Sequence, residues 1–377
     1  MKILYLENVA SIKATNFYSA AALAAAELKY EFHLGYNAQD RTNDDIKYLK
    51  KSLNVIFHQI NFFRFPFHPL NIIALIQVIK LIKKEQIDLI HCNTPTGGII
   101  GRIAGIFSRD IKIIYQAHGF HFSKETSFFN WITFYPVEKL LSYITDVIIT
   151  INMEDFALAK RHFYSSRTKI FYVPGVGIDK IKISKIVKNN NREKVRKELG
   201  LDRGCVALVS IGELNKNKNN EVIIKSMFQM NNKHYDFKYF ICGSGKSENK
   251  LKRLVNELGL TEKVSFLGYK SNVIEILASC DIFLLPSYRE GLSRSLMEAM
   301  AVGVPCIVSN IRGNRDLVIN DQGGYLCDPN NSSEFMNAIL ILKSEEKRNS
   351  MASFNQKFVE DFSIDIVKNK IKEIYLG

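Results

Sequence analysis

The sequence predicts an α/β protein with two Rossmann-like domains, each a doubly wound parallel sheet, that face a common cleft. Three observations support this prediction. The chain has 377 residues, which is more than one ordinary domain contains. Short apolar segments alternate with amphipathic helical patterns, as they do in parallel sheets. The alternation stops once, near Pro174, and then resumes.

The first half of the chain has the pattern of a complete parallel sheet. Its predicted strands are Lys2–Glu7, Glu31–Gly35, Val55–Ile60, Leu89–Cys92, Ile111–Gln116, Val147–Ile151 and Ile170–Val173. Its predicted helices are Ser19–Leu28, Pro69–Glu85, Gly97–Phe107, Phe128–Ile144 and Glu154–Phe163. Because strands and helices alternate, neighbouring strands are expected to run parallel.

Pro and Gly residues between Pro174 and Ile178 predict the interdomain hinge. The first domain is expected to span residues 1–175 and the second residues 179–359, with a first helix from about Arg192. The predicted strands of the second domain are Val206–Ile211, Tyr239–Cys242, Val264–Phe266, Ile282–Leu285 and Cys306–Val308. Ligands of open parallel sheets bind beyond the carboxyl ends of strands, so the loops there are the candidate site.

Composition excludes several classes of protein. A chain with 46% hydrophobic and 24% charged residues is neither disordered nor fibrous. The cysteines form no C-x-x-C pair, which favours buried thiols in a reducing compartment over a zinc site. No signal-peptide core or run of ~20 apolar residues is present, so a cytoplasmic protein is expected. The net charge of +13 favours an anionic partner, although solubility alone explains it equally well.

The loop after Leu285 is the strongest candidate for chemistry. A helix is expected to begin near Ser293, whose position fits an N-cap and leaves amide groups free to bind a phosphate. Glu290 precedes this anion site, and Glu298 lies further along the helix. Two carboxylates on either side of a diphosphate can accept hydrogen bonds from sugar hydroxyls. The alternative is an exposed loop glutamate and an ordinary helical one.

This segment resembles the signature of the family-four retaining glycosyltransferases, which have the GT-B fold and two glutamates separated by seven residues. The resemblance continues to Ser309 and Gly313, and Asp316 stands where family members commonly have Glu. It implies that Glu290 contacts the donor sugar and Glu298 the ribose. The residues between them that are implied to help bind the donor are Gly291, Leu292, Ser293, Arg294 and Ser295.

The loop Gly212–Lys218 resembles the family's G-R-L-x-x-x-K loop, whose Arg and Lys neutralise the donor diphosphate. Lys218 matches the family's Lys and is expected to act as a point charge. Glu213 stands in place of the Arg. Either Lys216 compensates for the missing cation, or this subfamily binds the phosphates with less charge. Without the resemblance, this loop would be interpreted as a solvated turn.

Two further loops of the second domain fit the same donor site. Gly243 and Gly245 follow the strand that ends at Cys242. Gly268 and Tyr269 resemble the loop that contacts the nucleobase through backbone groups. Each loop taken alone is equally consistent with an ordinary tight turn.

In the first domain, the segment Ala117–Phe122 leaves a predicted strand and contains two histidines. The resemblance implies that His118 contacts the sugar, and His121 is a secondary candidate. His118, Lys218 and Glu290 are thus the candidate catalytic residues. No metal or other cofactor is expected, because the two histidines lack a third ligand and the chain has no Asp-x-Asp motif. The loop after the first strand lacks the family's glycines, so acceptor contact is expected there.

The resemblance implies transfer of a hexosyl or N-acetylhexosaminyl unit from a UDP-sugar, with retention at the anomeric carbon. It also implies that a C-terminal helix, about residues 360–377, packs on the first domain. A UDP-sugar epimerase of the same fold is an alternative. A nicotinamide oxidoreductase would carry a G-x-G-x-x-G motif after its first strand, and this chain has no such motif there. A nucleic-acid-binding protein would explain the charge, but no recognised module is present, and no nucleic-acid partner is expected.

Two aromatic runs in the first domain indicate contact with a membrane. They are Asn61–Phe67 and Phe128–Tyr135, and a lysine-rich helix end follows the first of them. Aromatic side chains near lysines suit an anionic membrane surface, whereas the alternative is that they are core residues. The segment Ala117–Phe122 resembles enzymes of bacterial capsule or exopolysaccharide assembly. This implies a polyprenyl-diphosphate-linked acceptor and a peripheral position on the inner face of the cell membrane.

Overall fold

The computed structural model describes residues 1–8, 16–38, 54–108, 110–123, 126–231 and 236–377. The chain divides into two compact units. The first unit is Met1–Gly177 together with Ile364–Gly377, and the second is Ile178–Ser363. The chain passes from the first unit to the second after Gly177, within the predicted hinge. It returns to the first unit at Ile364, whereas the prediction placed this return near residue 360.

The described part of the first unit contains a seven-stranded parallel sheet with the order β3-β2-β1-β4-β5-β6-β7. The strands are β1 (Lys2–Leu6), β2 (Glu31–Tyr36), β3 (Ile56–Gln59), β4 (Leu89–Asn93), β5 (Lys112–Ala117), β6 (Val147–Thr150) and β7 (Lys169–Tyr172). The helices are α1 (Asn16–Glu27), α2 (Asn71–Glu85), α3 (Pro95–Ile106), α4 (Phe128–Ser142) and α5 (Met153–His162). The loop 9–15, predicted to contact the acceptor, lies outside the described residues.

The described part of the second unit contains a six-stranded parallel sheet with the order β10-β9-β8-β11-β12-β13. The strands are β8 (Val206–Ile211), β9 (Phe237–Cys242), β10 (Val264–Gly268), β11 (Ile282–Leu285), β12 (Cys306–Ser309) and β13 (Gly324–Cys327). The helices are α6 (Lys180–Asn189), α7 (Arg192–Glu198), α8 (Asn220–Asn231), α9 (Glu248–Glu257), α10 (Val273–Ser279), α11 (Arg294–Val302), α12 (Asn314–Leu317), α13 (Ser332–Ile341) and α14 (Glu345–Phe358). The predicted class of two α/β domains, each with a parallel sheet, is confirmed.

Two details of the second unit differ from the prediction. The helix predicted from about Arg192 is present as α7, but an additional helix, α6, precedes it from Lys180, and Asp179 caps α6 by accepting a hydrogen bond from the Lys182 amide. Strand β13 is absent from the prediction, since it is a short edge strand that begins with a glycine and is only half-buried in its middle.

The last helix of the chain, α15 (Ile364–Leu376), packs against α1 in the first unit. Lys368 and Lys372 both pair with Glu27, at 2.6 and 2.9 Å. At the far end, the Tyr375 hydroxyl lies 2.7 Å from Nδ1 of His91 on β4. These polar contacts and the burial of Ile371 anchor the C-terminal segment to the first sheet.

A buried ion pair joins helices α3 and α4. Arg102 is completely buried, and its Nη1 donates to Glu138 Oε2 at 2.7 Å. Its Nε donates to the Gly98 carbonyl at 2.8 Å. The Tyr115 hydroxyl donates to the other carboxylate oxygen at 3.2 Å, and its ring lies 3.9 Å from the guanidinium carbon. Burial raises the pKa of Tyr115 well above its ordinary value, so this hydroxyl remains a donor.

Glu7, directly after β1, is expected to make stability depend on pH. It is buried, and its Oε2 has no hydrogen-bond partner among the described residues. Burial raises its pKa to about 8, so the folded protein keeps the carboxyl protonated at neutral pH. In the unfolded chain the carboxyl ionises near its ordinary pKa of ~4.3. The stabilising contribution of the protonated Glu7 carboxyl is therefore fully present below pH ~4.3. As the pH rises from there towards 8, the free energy of unfolding falls by up to about 1.4 kcal/mol per pH unit.

The substitution Glu7→Gln should remove this slope, because the amide stays neutral in both states. Urea unfolding at pH 5, 6.5 and 8 is expected to show the variant gaining stability relative to wild type as the pH rises. Glu85→Gln, near the surface at the end of α2, is the control and should follow the wild type. Parallel pH profiles for Glu7→Gln and wild type would show that the Glu7 carboxyl is not neutral in the folded protein.

Candidate active site

The loops that follow β8, β9 and β10 are joined by backbone hydrogen bonds at the carboxyl edge of the second sheet. The Gly212 amide donates to the Cys242 carbonyl at 3.0 Å, and the Gly243 amide donates to the Gly268 carbonyl at 2.8 Å. Parallel strands bring their carboxyl ends to one edge, where ligands of such sheets bind. Gly212, Gly243 and Gly268, three of the predicted donor-binding glycines, therefore lie side by side.

Close backbone approach explains why glycine occupies position 243 and also position 313, which follows β12. A Cβ on Gly243, at a φ of 145°, would lie 1.8 Å from the Gly212 carbonyl oxygen. A Cβ on Gly313, at a φ of 79°, would lie 2.1 Å from the Gly291 carbonyl oxygen. Any larger residue at either position would push neighbouring loops apart. These glycines are thus required by loop packing, irrespective of a ligand.

Two candidate catalytic residues of the second unit contact each other directly. Lys218 ends a short 3₁₀ turn, Lys216–Lys218, and its Nζ lies 2.6 Å from Glu290 Oε1. Both side chains are largely buried. The Asn217 side-chain amide donates to the Arg289 carbonyl at 2.9 Å, which ties the loop after β8 to the loop after β11. This tie holds the ammonium and the carboxylate at the same strand-end edge.

Helix α11 begins at Arg294, so Ser293 occupies the predicted N-cap position. Its side chain makes no cap hydrogen bond, and its hydroxyl lies 3.2 Å from that of Ser295. The amides of the first helical turn have no partner within the helix and are the donors that an anion would use. Glu298 is buried, and its Oε1 accepts a hydrogen bond from Arg294 Nε at 2.8 Å.

The secondary candidates of the second unit lie around this site. Lys216 and Glu213 are exposed, and the Glu213 carboxylate accepts a hydrogen bond from the Asn215 side chain at 3.1 Å. Tyr269 is exposed just beyond β10. Asp316 is half-buried in the short helix α12, which follows β12. The donor-site roles expected of these four residues remain predictions.

His118 and His121 of the first unit follow β5 and line a cavity of about 260 Å³. His118 Nε2 is shielded from solvent and has no hydrogen-bond partner among the described residues. Burial lowers the pKa of His118 to about 4, so its imidazole is neutral near pH 7 and can donate or accept one hydrogen bond at each nitrogen. The His121 ring lies 4.7 Å from that of Phe134 on α4. In the described segments, no three His, Cys, Asp or Glu side chains are grouped as metal ligands would be.

The sequence analysis did not identify the ion pair of Arg102 and Glu138, although one feature of the sequence indicates that Arg102 needs a partner. Arg102 is a charged residue within an apolar, glycine-rich helical pattern. A buried charge needs a partner, so its position implies one. The partner itself follows only from the structure, because Glu138 lies on a different helix.

Comparison with known proteins supports the same functional class. Residues 191–358 match the family model described as "Glycosyl transferases group 1", and residues 2–152 match "Glycosyl transferase 4-like". EpsD of Bacillus subtilis is 31% identical over 317 residues, which cover 83% of this chain and 80% of EpsD. The chain is a group 1 glycosyltransferase. The predicted family resemblance is confirmed, and this membership argues against an oxidoreductase or a nucleic-acid-binding protein.

One further relative and one solved structure are similar to this glycosyltransferase over most of its length. The UDP-Gal:alpha-D-GlcNAc-diphosphoundecaprenol alpha-1,3-galactosyltransferase of Escherichia coli is 30% identical over 308 residues, 80% of this chain and 79% of that enzyme. The crystal structure of Anabaena Alr3699/HepE in complex with UDP-glucose matches with a TM-score of 0.80 at 20% identity. The match covers 100% of this chain and 99% of that chain, which confirms the predicted GT-B fold.

The described helices of the glycosyltransferase include none with both the length and the apolar character that crossing a bilayer requires.

Proposed function

We propose that this glycosyltransferase moves a hexosyl or N-acetylhexosaminyl unit from a UDP-sugar to a polyprenyl-diphosphate-linked glycan during surface polysaccharide assembly, with retention of configuration. The observation that carries the proposal is the Lys218–Glu290 contact at the strand-end edge of the second sheet. The Escherichia coli relative is named for UDP-Gal and a diphosphoundecaprenol acceptor, and the HepE structure holds UDP-glucose. Both support the proposed substrate classes.

The second unit supplies the proposed donor site. Lys218 and the first-turn amides of α11 would bind the diphosphate as preorganised donors. In the structure Lys218 neutralises Glu290. A bound diphosphate would take over the ammonium group, which would leave the Glu290 carboxylate to accept hydrogen bonds from the sugar hydroxyls. Glu298 would accept hydrogen bonds from the ribose.

The proposed reaction needs no carboxylate nucleophile. The acceptor hydroxyl attacks the anomeric carbon on the face from which the diphosphate leaves. The bond from this carbon to the diphosphate oxygen breaks, a bond to the acceptor oxygen forms, and the departing diphosphate takes the acceptor's proton. The protein contributes by positioning the substrates and by stabilising charge on the diphosphate. His118 is proposed to contact the transferred sugar.

Transfer is expected to continue in excess EDTA, because Lys218 and the α11 amides supply the counter-charge that a metal ion would otherwise provide. Release of UDP with and without EDTA is the measurement. A commercial Mn²⁺-dependent transferase, assayed in the same buffer, confirms that chelation is complete. Loss of activity that Mg²⁺ or Mn²⁺ restores would show that the diphosphate is bound through a metal.

A donor screen tests the function itself. UDP and GDP release is measured for a panel of nucleotide sugars, with and without a diphosphoundecaprenol-linked sugar. The proposal requires that the acceptor stimulates release from at least one UDP-sugar. Conversion of one UDP-sugar into another without an acceptor would instead identify the epimerase alternative.

We further propose that the first unit docks on an anionic membrane. On α4, the side chains of Phe128, Ile132 and Leu140 are 79%, 58% and 69% exposed, and their spacing places them on one face of the helix. In contrast, Trp131 and Phe134 are partly buried against the core. The aromatic run therefore divides between core and surface, so neither sequence interpretation holds for the whole run.

Helix α2 carries a second exposed face that is apolar at one end and basic at the other. Ile72 and Ile76 are exposed in its first half, and Lys80, Lys83 and Lys84 are exposed in its second half. An apolar face beside lysines suits the boundary between acyl chains and anionic headgroups. The net charge of +13 has the sign that such a surface attracts.

Liposome flotation is expected to show binding to phosphatidylglycerol vesicles at low salt and weaker binding at high salt. The variant Lys80→Ala/Lys83→Ala/Lys84→Ala should lose up to about 1 kcal/mol of binding free energy per lysine. The variant Lys225→Ala, at an exposed position of α8 in the second unit, is the control. Absence of flotation at low salt, with full activity on a water-soluble acceptor, would contradict membrane docking.

A further inference from the structure

The loop after β8, the loop after β11 and helix α11 carry charges that largely cancel one another. Lys218 pairs with Glu290 at 2.6 Å, and Arg294 pairs with Glu298 at 2.8 Å. Glu213 adds an exposed carboxylate whose bonded partner is the Asn215 side-chain amide, which is not a cation. A nucleotide diphosphate carries negative charge on both phosphate groups. It therefore needs more positive charge at this edge than these side chains supply.

The loop after β9 packs directly on the loop after β8. The Leu214 amide donates to the Ser244 carbonyl at 3.0 Å, and the Ser247 amide donates to the Leu214 carbonyl at 2.9 Å. A Cβ on Gly245 would lie 2.4 Å from that same Leu214 carbonyl oxygen, so the two backbones are in contact. Lys246 stands between Gly245 and Ser247, and its backbone is thus held beside residue 214.

The Lys246 side chain is free to reach a ligand. It is exposed, and its ammonium forms no ion pair with any residue in the described part of the chain. A lysine ammonium has a flexible four-carbon stem and binds phosphate as a point charge. Because Leu214 directly follows Glu213, Lys246 lies next to the position at which the family resemblance implies an arginine.

Lys218 and Lys246 lie on opposite sides of the loop after β8, since β8 lies between β9 and β11 in the sheet. Lys218 Nζ contacts Glu290 in the loop after β11. The Lys218 stem passes Gly212, at which a Cβ would lie 3.1 Å from Lys218 Cε. The Gly212 amide in turn donates to the Cys242 carbonyl at the end of β9. A diphosphate held by Lys218 near Gly212 would thus also lie next to the loop that carries Lys246.

Lys216 is the alternative source of a second cation, but its turn is tied to the other side. The next residue, Asn217, donates from its side chain to the Arg289 carbonyl at 2.9 Å. Its own carbonyl accepts a hydrogen bond from the Tyr288 amide at 2.8 Å. Both bonds hold the turn against the loop after β11, where Lys218 already provides a cation. A second cation from the β9 side would face the diphosphate from the opposite direction.

We infer that Lys246 is a donor-binding residue that contacts the diphosphate from the β9 side. It supplies the positive charge that Glu213 cannot supply at the neighbouring position. The inference rests on the proposed function, in which Lys218 and the α11 amides bind the same diphosphate. The counter-charge then comes from two lysines on two different loops. An arginine at position 213 should be able to take over from Lys246, because the two positions are adjacent.

The test is a calorimetric titration of the full chain with UDP in EDTA. Lys246→Gln is expected to bind UDP about fivefold more weakly than wild type at low salt, and the difference should shrink at high salt. Uridine, which lacks the phosphates, is the neutral probe and is titrated by ligand-observed NMR. Its affinity should be unchanged, whereas damage to the loop would weaken both ligands. Lys197→Gln, at an exposed position of α7, is the control and should bind like wild type.

Two further variants separate charge from shape. Lys246→Arg should keep most of the UDP affinity, because it keeps the charge. The double variant Glu213→Arg/Lys246→Gln should recover the affinity that Lys246→Gln loses. Lys216→Gln tests the alternative source of the cation and should weaken UDP binding less than Lys246→Gln does.

Three results would overturn the inference. They are equal UDP affinity of wild type and Lys246→Gln, an equal loss for UDP and uridine, or a larger loss in Lys216→Gln than in Lys246→Gln. A wild type that binds no UDP would overturn the proposed function as well. The titration requires no turnover, so UDP binding that depends on Lys246, together with a failed donor screen, would contradict the proposed function alone.

Discussion

The variant Glu290→Gln is expected to transfer sugar at least tenfold more slowly than the wild type, with a melting temperature close to that of the wild type. A hydrogen bond from a sugar hydroxyl to a carboxylate contributes about 1.5–3 kcal/mol, and 1.36 kcal/mol corresponds to a tenfold change in rate. The Gln carbonyl can still accept the hydrogen bond that Lys218 Nζ donates to Glu290 Oε1 at 2.6 Å. The fold should therefore be affected far less than the reaction.

Steady-state UDP release at saturating acceptor measures this effect. Glu298→Gln should show a comparable loss, since the ribose contact is also charge-assisted. Glu257→Gln is the control, because Glu257 is exposed at the end of α9 and has no predicted role in the donor site. Near-normal turnover in both Glu290→Gln and Glu298→Gln would disprove the assignment of the donor site.

The variant Arg102→Met is expected to lose about 3 kcal/mol of unfolding free energy in the first unit. Breaking a buried ion pair by removing one partner typically costs about 3–5 kcal/mol, because the remaining charge is left uncompensated. The lower end applies because Glu138 retains the Tyr115 hydroxyl and is 14% exposed. Urea unfolding followed by Trp131 emission reports on the first unit, which contains this single tryptophan.

The double variant Arg102→Met/Glu138→Leu separates loss of charge pairing from loss of packing. It is expected to recover most of the lost stability, because replacing both partners by apolar residues leaves no buried charge. A double variant as unstable as the single one would show that the helices depend on the shape of Arg102 instead of its charge.

Most strands could be predicted because they are buried on both faces and form continuous apolar runs. The predicted bounds of β8 and β11 agree with the structure, and both strands lie inside the second sheet. Strand β13 was missed, since an edge strand of four residues that begins with Gly324 is too short to form a pattern. The observed ends of other strands differ from the predicted ends by one or two residues, because tertiary hydrogen bonds determine where the pairing of two strands ends.

The site was predictable only where its residues belong to one linear motif. Glu290, Glu298 and Lys218 were identified through the resemblance of their loops to the family's motifs, and their roles remain predictions. Their contact depends on two loops that are tied through Asn217, which no linear pattern records. The cavity also escaped prediction, because Phe67, Ile99 and Val137 come from segments far apart in the chain.

Helix α4 shows why periodicity could not separate core from surface. Aromatic and aliphatic residues occur on nearly every side of this helix, so its sequence has no polar face to mark the solvent side. Packing decides the outcome, and the structure packs the partly buried Trp131 against Phe122 while leaving Phe128 and Ile132 exposed.

The most direct test of the central claim is the anomeric configuration of the product. The enzyme is incubated in EDTA with the UDP-sugar that releases most UDP and with a diphosphoundecaprenol-linked acceptor, and the new linkage is assigned from its anomeric proton coupling by NMR. UDP-hexoses carry their sugar in the α configuration. Retaining transfer at the Lys218–Glu290 site predicts a new α-linkage, whereas a β-linked product would contradict it.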